Sequence, residues 1–467
     1  MKSIGLDIRV IQMDNKIMTI VIVAIVAIAA VAIVFVALNN NGGSGGGSDP
    51  VVGDEATVVI YGNANNDSYI NNDDVKFVQD ILAGKFAWDR SKNPFADANN
   101  DGQITSADVD QIKMIINNQE GKIYYLNYFG EAQQISYPLK NRTIAVTYWQ
   151  QAEAAAILGQ WDNVKVANAY VTQIKKNQYP CDGIIEVGTT GSSAKSVDDN
   201  GVSAMIKAGV NLILATPTSA VKTGCEKVIV DGVQADAIYL WHMGNSSIPT
   251  ILTMGIMFDE EERAEKYAKF CYDLIDKVEG KLKGHDKLDI IVTTLYANQA
   301  SRSDITVCSG VGREGTCTVL QYLGNVYNNW TGINDFGMAS YQKDWFLGEG
   351  DKFDVNFMVY SSVDQFTYDQ DKFNDYFMDF ISYFKNTKAY NNHGMMGAPY
   401  IFAGYSGFSM MMYAAWMMYP DLFTLEDAQN TLQTWFDTFT VAKVDVKNDA
   451  VCFYTGDEYE TLYKGKF

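Results

Sequence analysis

The stretch FDEEERAEKYAKFCYDLIDKVEGKLKG, residues 258–284, decides how the chain divides. Phe258, Ala264, Tyr267, Ala268, Cys271, Leu274 and Val278 follow a period of three and four, with charged residues between them. That period puts the apolar side chains on one stripe of an amphipathic helix. On both sides of it short β-branched runs alternate with helical ones. Upstream, RTIAVTYW (142–149) leads into QQAEAAAILGQW (150–161), followed by DNVKVANAY (162–170), GVSAMIKAGVNLILATP (201–217) and ADAIYLWHMG (235–244). Downstream the pattern restarts with KLDIIVTTLYANQAS (287–301), then SDITVCSGVGREGTCTVLQYLGN (303–325) and QKDWFLGEGDKFDVNFMVYSS (342–362). Strand alternating with helix predicts parallel sheets. The expected fold class is therefore α/β: two Rossmann-like lobes, residues 119–257 and 285–467, joined by one long helix, 258–284.

Composition narrows the function. The 467 residues are 47% hydrophobic, enough for a large core, and carry a net charge of −20, which repels nucleic acid. Three histidines, no two of them close in sequence, speak against a zinc centre built on a histidine cluster. Six cysteines are too few for a disulfide scaffold, although Cys308 and Cys317 are near enough to bridge in an oxidising compartment.

Residues 17–38, IMTIVIVAIVAIAAVAIVFVAL, contain no charge. At 1.5 Å per residue they span about 33 Å, the thickness of a bilayer core. Lys2, Arg9 and Lys16 precede the segment and no basic residue closely follows it, so residues 1–16 are expected in the cytoplasm and the rest outside. Gly- and Ser-rich residues within 39–57 read as a flexible tether. The expected location is the cell membrane, single-pass, with an extracytoplasmic body.

Two 12-residue loops follow, each running into an apolar helical segment. DANNDGQITSAD, residues 97–108, places Asp97, Asn99, Asp101, the Gln103 carbonyl, Thr105 and Asp108 where a calcium loop needs oxygen, with Gly102 at the sharp turn. NANNDSYINNDD, residues 63–74, offers Asn63, Asn65, Asp67, the Tyr69 carbonyl, Asn71 and Asp74, but Asn63 replaces the leading Asp and Ser68 the Gly. Two Ca2+ sites are expected, the first weaker. The twelfth position is Asp rather than Glu and no helix precedes the loop, features in which residues 58–118 resemble the dockerin family. That resemblance implies a small α-helical calcium module and a cohesin-type partner; a calcium-stabilised spacer is the plainer alternative.

The two-lobe body, from residue 142 to about 440, resembles the periplasmic-binding-protein family of ABC importers for ferric siderophores, haem and cobalamin. Three segments carry the resemblance: VSAMIKAGVNLILATPT (202–218); IPTILTMGIMFDEEERAEKYAKFCYDLIDKV (248–278), with Met254-Gly255 before the helix; and YIFAGYSGFSMMMYAAWMMYPDLF (400–423), closing on Tyr419, Pro420, Asp421, Leu422 and Phe423. The resemblance implies no enzyme, a metal-chelate ligand and an ABC permease partner. Glu153 and Glu314 are weak candidates for the family's permease-docking glutamates.

In open α/β sheets ligands bind beyond the carboxyl ends of the strands. In lobe one those ends deliver Tyr148, Trp149, Thr216, Trp241 and His242. In lobe two they deliver Tyr296, Ser309, Arg313, Tyr360 and Ser361, with Arg302 on a loop and Tyr405 before the last helices. Aromatic faces suit a broad chelate, and the arginines suit carboxylates or an anionic ferric complex. His242 is a candidate axial ligand to haem iron, against the plainer reading as a loop histidine. Met410–Met412, Met417 and Met418 read as helix packing rather than a copper site. Two alternatives stand beside the receptor: a dockerin-bearing polysaccharide-active enzyme, for which no carboxylate pair or catalytic motif stands out, and a surface adhesin.

Overall fold

The computed structural model describes residues 56–176, 178–296, 302–308, 315–334, 338–360, 377–378, 380–399 and 404–448, without the side chains of 315–317, 360 and 399. The expected membrane span 17–38, the segment before it and nearly all of the tether lie outside the described residues, as do Ser309, Arg313, Glu314 and Ser361. Among the described residues no helix is long and apolar enough to cross a membrane.

Lobe one is a five-stranded parallel sheet: β3 (Ile144–Val146), β4 (Val164–Asn168), β5 (Ile185–Val187), β6 (Leu212–Leu214) and β7 (Asp236–Ile238), in the spatial order β5-β4-β3-β6-β7. This is the doubly wound Rossmann order, in which the chain reverses direction across the sheet beside the first strand. Ile144, Ala145, Val146, Leu212, Ile213 and Leu214 are all buried, as strands covered on both faces must be.

Lobe two departs from the all-parallel expectation. Here β8 (Leu288–Leu295) pairs in parallel with β10 (Gly324–Val326) and β12 (Val355–Tyr360), and β12 with β13 (Met395–Pro399). But β9 (Asp304–Cys308) runs antiparallel to β8, and β11 (Met338–Gln342) antiparallel to β9. Only residues 296–303 separate β8 from β9. A parallel crossover needs a dozen or more, so the short return fixes the opposite direction. Cys308, at the end of β9, is a free buried thiol 3.0 Å from the Thr294 hydroxyl; the side chain of Cys317, its expected bridging partner, lies outside the described residues.

The lobes are joined by two helices rather than one. Helix α6 (Ser247–Phe258) is apolar and buried along almost its whole length, and α7 (Glu261–Leu282) follows after a two-residue turn. The expected stripe is observed on α7, with Ala264, Tyr267, Ala268, Cys271, Leu274 and Val278 buried. Phe258 belongs to α6, because Asp259 takes a left-handed conformation (φ +57°) that ends that helix. At the turn the helices nearly touch: a Cβ on Gly255 would lie 2.4 Å from that of Ala264.

The two loops do form helices, α1 (Asn72–Leu82) and α2 (Ser106–Ile116), each with a capping box. They do not stand apart from the lobes. A hairpin absent from the sequence reading, β1 (Gly121–Leu126) and β2 (Ala132–Tyr137), links them to lobe one. Val58, Ile60 and Ile115 share one core with Ile123, Met254, Ile256 and Ala264. The Val59 N–H donates to Thr253 Oγ1 on α6 (3.2 Å). Asn118 Nδ2 donates to Asp259 Oδ1 at the α6–α7 turn, and Lys140 pairs with the same carboxylate.

After β13, α9 (Gly407–Met418) and α10 (Leu425–Phe439) close the chain against the joining helices and α3 (Trp149–Ile157) of lobe one. Met410, Met411, Met412, Met417 and Met418 are buried packing residues. The helix contact at Gly255 yields a prediction. Gly255→Ala lowers stability by about 1–3 kcal/mol, the usual cost of overpacking, and melts at a lower temperature by circular dichroism. An unchanged melting temperature would contradict the close approach.

Candidate functional site

The strand ends of lobe one present a different surface from the one the sequence implied. Trp149 is fully buried, stacked against Tyr170 with ring centroids 6.1 Å apart. Trp241 is stacked between Tyr128 and His242, at 5.5 and 5.2 Å. His242 is buried with Nδ1 3.2 Å from Gln151 Nε2, and Tyr405 is buried with its ring 6.5 Å from that of His242. These four predicted ligand contacts therefore form interior packing, for a definite reason. The chain returning from β13 lays Tyr405 and Ser406 against α3, where the Tyr405 N–H and the Ser406 hydroxyl donate to the Glu153 carboxylate (2.9 and 3.1 Å). Segments leaving the carboxyl ends of both sheets thus meet and close a floor between the lobes.

Glu153 is itself buried, with its carboxylate 2.9 Å from Lys175 Nζ. It is unavailable to a permease arginine, which corrects that assignment.

Outside this floor, Tyr148 remains half-buried and donates its hydroxyl to the Thr190 carbonyl (3.1 Å). Thr190 belongs to GTTGSS, residues 188–193, which leaves the carboxyl end of β5. Buried Asn168, at the end of β4, pins this loop by donating to the carbonyls of Thr189 and Ser192 (3.1 and 3.3 Å). Gly188 has φ +71°, and a Cβ there would meet the Ser196 backbone nitrogen at 2.8 Å, so the loop requires glycine at that point. Thr189 and Gly191 are exposed, with Thr190, Ser192 and Ser193 partly so. This hydroxyl-rich edge was missed in the sequence. The signal was there, a Gly-, Ser- and Thr-rich run directly after a strand.

In lobe two, Arg302 is already engaged: its Nη2 lies 3.0 Å from Asp304 Oδ2, and its guanidinium sits 4.8 Å from the Tyr296 ring centroid. Asp304 is held below the usual carboxylate range, chiefly by its hydrogen bond from Arg302. Tyr360 ends β12, paired with Leu295 and Pro399.

The two candidate calcium loops differ from each other. In the second, the Asp101 and Gly102 N–H groups donate to the two oxygens of the Asp97 carboxylate (3.0 and 2.8 Å), Gly102 has φ +90°, and Asp108 accepts from the backbone of Asn99 and Thr105. This is a wrapped loop with acidic oxygens at its first, fifth and twelfth positions. In the first, Asn63 Oδ1 accepts from the Asp67 N–H (3.2 Å) as Asp97 does from Asp101, but its second side-chain atom is the Nδ2 donor, which bonds the carbonyls of Val58 and Asp67 (2.8 and 2.7 Å), so this position brings no negative charge to a cation. Burial, with a smaller contribution from Asp67, pushes Asp74 up to about 7. Among the described residues no three His, Cys, Asp or Glu side chains gather as a cage. A calcium loop does not need one, since amide and main-chain oxygens complete its shell. The donor set of Asp97, Asn99, Asp101, the Gln103 carbonyl and Asp108 fits calcium, whereas that of Asn63, Asn65, Asp67, the Tyr69 carbonyl and Asp74 fits it poorly.

A separate cavity of about 140 Å³ lies between the first loop and the joining helices, lined by Tyr69, Ile70, Ile115, Leu252, Ile256 and Glu261 among others. Its lining includes none of the strand-end residues.

Comparison with solved structures places this architecture. The chain resembles the TroA-like periplasmic binding protein FepB from Veillonella parvula, with a TM-score of 0.53 and 15% identity over 71% of this chain and 99% of that one. It also resembles CeuE of Helicobacter pylori in a Ni-His complex (TM-score 0.52, 16% identity, 70% and 98%). A periplasmic solute binding protein from Veillonella parvula gives a TM-score of 0.50 at 14% identity, over 70% and 97%. No family model and no curated protein matches the sequence. The fold is the one that these periplasmic binding proteins share.

Burial pushes the His242 pKa down to about 3. Below its ordinary value near 6.5 the unfolded chain takes up a proton that the folded chain refuses. Stability contributed by neutral His242 is therefore present at pH 7 and lost as pH falls from about 6.5 toward 3, by up to about 1.4 kcal/mol per pH unit. In urea unfolding at pH 7 and pH 5, His242→Gln should lose less stability on acidification than wild type. Equal losses would show that His242 is not held neutral.

Proposed function

We propose that this chain is a membrane-anchored extracytoplasmic solute-binding protein of an ABC importer, which captures an iron chelate (a ferric siderophore or haem) or a cobalamin-like metal complex. The observation that carries the reading is the pair of α/β lobes whose strand-end segments meet at Tyr405 and Glu153, with Tyr148 and the 188–193 loop beside that floor. Tyr148 would stack on a conjugated or chelate face, and Thr189, Ser192 and Ser193 would supply hydroxyl contacts. Tyr296, Arg302, Arg313 and Tyr360 would form the opposite wall. The two joining helices favour a small closure over a wide hinge motion. No bond is made or broken, so affinity must come from a preformed surface. Residues 17–38 would anchor the protein, and delivery would be to an ABC permease in the same membrane.

Tryptophan-fluorescence titration of the purified extracytoplasmic chain with ferric siderophores, haem and cobalamin tests this. Saturable quenching by one of them is expected, weakened about tenfold by Tyr148→Ala, the loss of one aromatic stacking contact. Absence of quenching by all three, with release of sugars from a polysaccharide, would favour the enzyme reading.

The second loop is proposed to hold Ca2+ through Asp97, Asn99, Asp101, the Gln103 carbonyl and Asp108; the ion would supply a cationic centre around which the loop folds. A cohesin-type partner would meet the outward side of the module, where Leu82 and Phe86 are exposed. Calorimetric titration should find one calcium ion per chain. Asp101→Ala should abolish that binding and Asp67→Ala leave it unchanged; two ions, or loss of binding in Asp67→Ala, would reverse the assignment.

A further inference from the structure

The strongest unexplained feature is the ion pair inside the floor. Lys175 is 0% and Glu153 1% exposed. Taking two charges out of water costs several kcal/mol per ion, and well-packed apolar residues often serve stability as well. Here the pair makes specific connections. Lys175 follows directly on a turn of π-helix, Tyr170–Ile174, at the carboxyl end of β4. Its ammonium lies 3.9 Å from the Trp149 ring centroid and 2.9 Å from Glu153 Oε1. Glu153 uses its other bonds outside lobe one, accepting from the Tyr405 N–H on Oε2 and the Ser406 hydroxyl on Oε1. Those two residues immediately precede α9, so the carboxylate sits at the positive end of that helix. Gly404 closes the contact: a Cβ there would lie 2.4 Å from Glu153 Oε2 and 2.6 Å from the Trp149 ring.

We propose that Lys175 and Glu153 are a positioning pair, a buried pin that sets where the return chain from lobe two lands on lobe one and so fixes the relation between the two walls of the candidate site. Lys175 holds the carboxylate in one orientation, and the carboxylate holds Tyr405 and Ser406. Tyr148 lies in the same structural unit, since it caps α3, which carries Glu153, and packs against Tyr170 of the π-turn at 5.4 Å. The pin thereby links lobe two's crossover to Tyr148, a predicted aromatic that is only half-buried.

Hydrogen exchange of the unliganded chain, followed by mass spectrometry, tests the pin without reference to any ligand. Two variants are compared with wild type: Glu153→Gln, and the double variant Glu153→Leu with Lys175→Met, which replaces the charges by apolar bulk. The expected result is exchange at least tenfold faster across residues 405–410 in the double variant, with β3 and β6 unchanged and the melting temperature near that of wild type. Global unfolding of Glu153→Gln alone is consistent with a buried, uncompensated lysine and supports the pair. Wild-type exchange across 405–410 in a folded double variant would overturn the proposal, leaving the pair as mere filling. Should the double variant not fold, Ser406→Ala decides: faster exchange confined to the same segment supports the pin, and an unchanged rate overturns it.

Discussion

The contact on which the rest of the structure depends is the meeting of α6 and α7 at Gly255 and Ala264. Two helices approach this closely only where one of them lacks a side chain. The turn beyond the contact is equally constrained. Asp259, in a left-handed conformation, ends α6 while its N–H bonds back to the Ile256 carbonyl, and the Glu260 N–H bonds to that of Gly255. The Asp259 carboxylate then receives Asn118 from the end of the 58–118 module and Lys140 from the start of lobe one. One aspartate therefore caps a helix and holds two other parts of the chain, and the buried stripe of α7 carries the same core toward α9 and α10.

Polarity inside this core is arranged rather than avoided. Around the strand ends of lobe one, Thr147, Gln151, Thr216 and His242 form a buried hydrogen-bonded chain: Thr216 donates to Gln151 Oε1, and the Gln151 amide lies against His242. In a dry interior such a chain holds only if its members are satisfied, because an unpaired buried polar group costs more than a bond returns. Keeping His242 neutral is part of that condition. Glu153 and Lys175 meet it with opposite charges, burial pushing the carboxyl up and the ammonium down to about 8 while each draws the other back. The floor between the lobes is thus directional, where a purely apolar floor would tolerate sliding.

Periodicity made the lobes legible. The three- and four-residue spacing from Ala264 to Val278 named the buried face of α7, and the β-branched runs at Ile144, Leu212 and Leu288 marked strands that do sit in sheets. What periodicity does not encode is which part of the chain covers which. Trp149, Trp241, His242 and Tyr405 follow strand ends or precede a helix, as ligand-facing residues do, yet Gly404 and Tyr405, more than 250 residues after Glu153, pack against Trp149 and His242, and Tyr128 stacks on Trp241. The antiparallel turn of β9 was readable from the short connection after Leu295, had length been weighed against pattern. The hairpin β1–β2 joins the module to lobe one in a stretch where no motif directed attention.

The module of residues 58–118 shows how far a motif can mislead about autonomy. Two loops with the spacing of a docking module invite the picture of a separate bead on a tether. Yet Ile60 bridges to Tyr125, Tyr137 donates its hydroxyl to the Ile115 carbonyl at the end of α2, and Val58, Ile60 and Ile115 lie in the core of the joining helices. Burial of those side chains, each contributing on the order of 1.5–3 kcal/mol, cannot be lost without exposing the faces of α6 and α7 they cover. An ion held at Asp97 and Asp108 would organise the entry to α2, whose far end rests on the Asp259 turn. Folding of the loop and rigidity of the strut would then be one cooperative event, with the module a bracket on the two-lobe body.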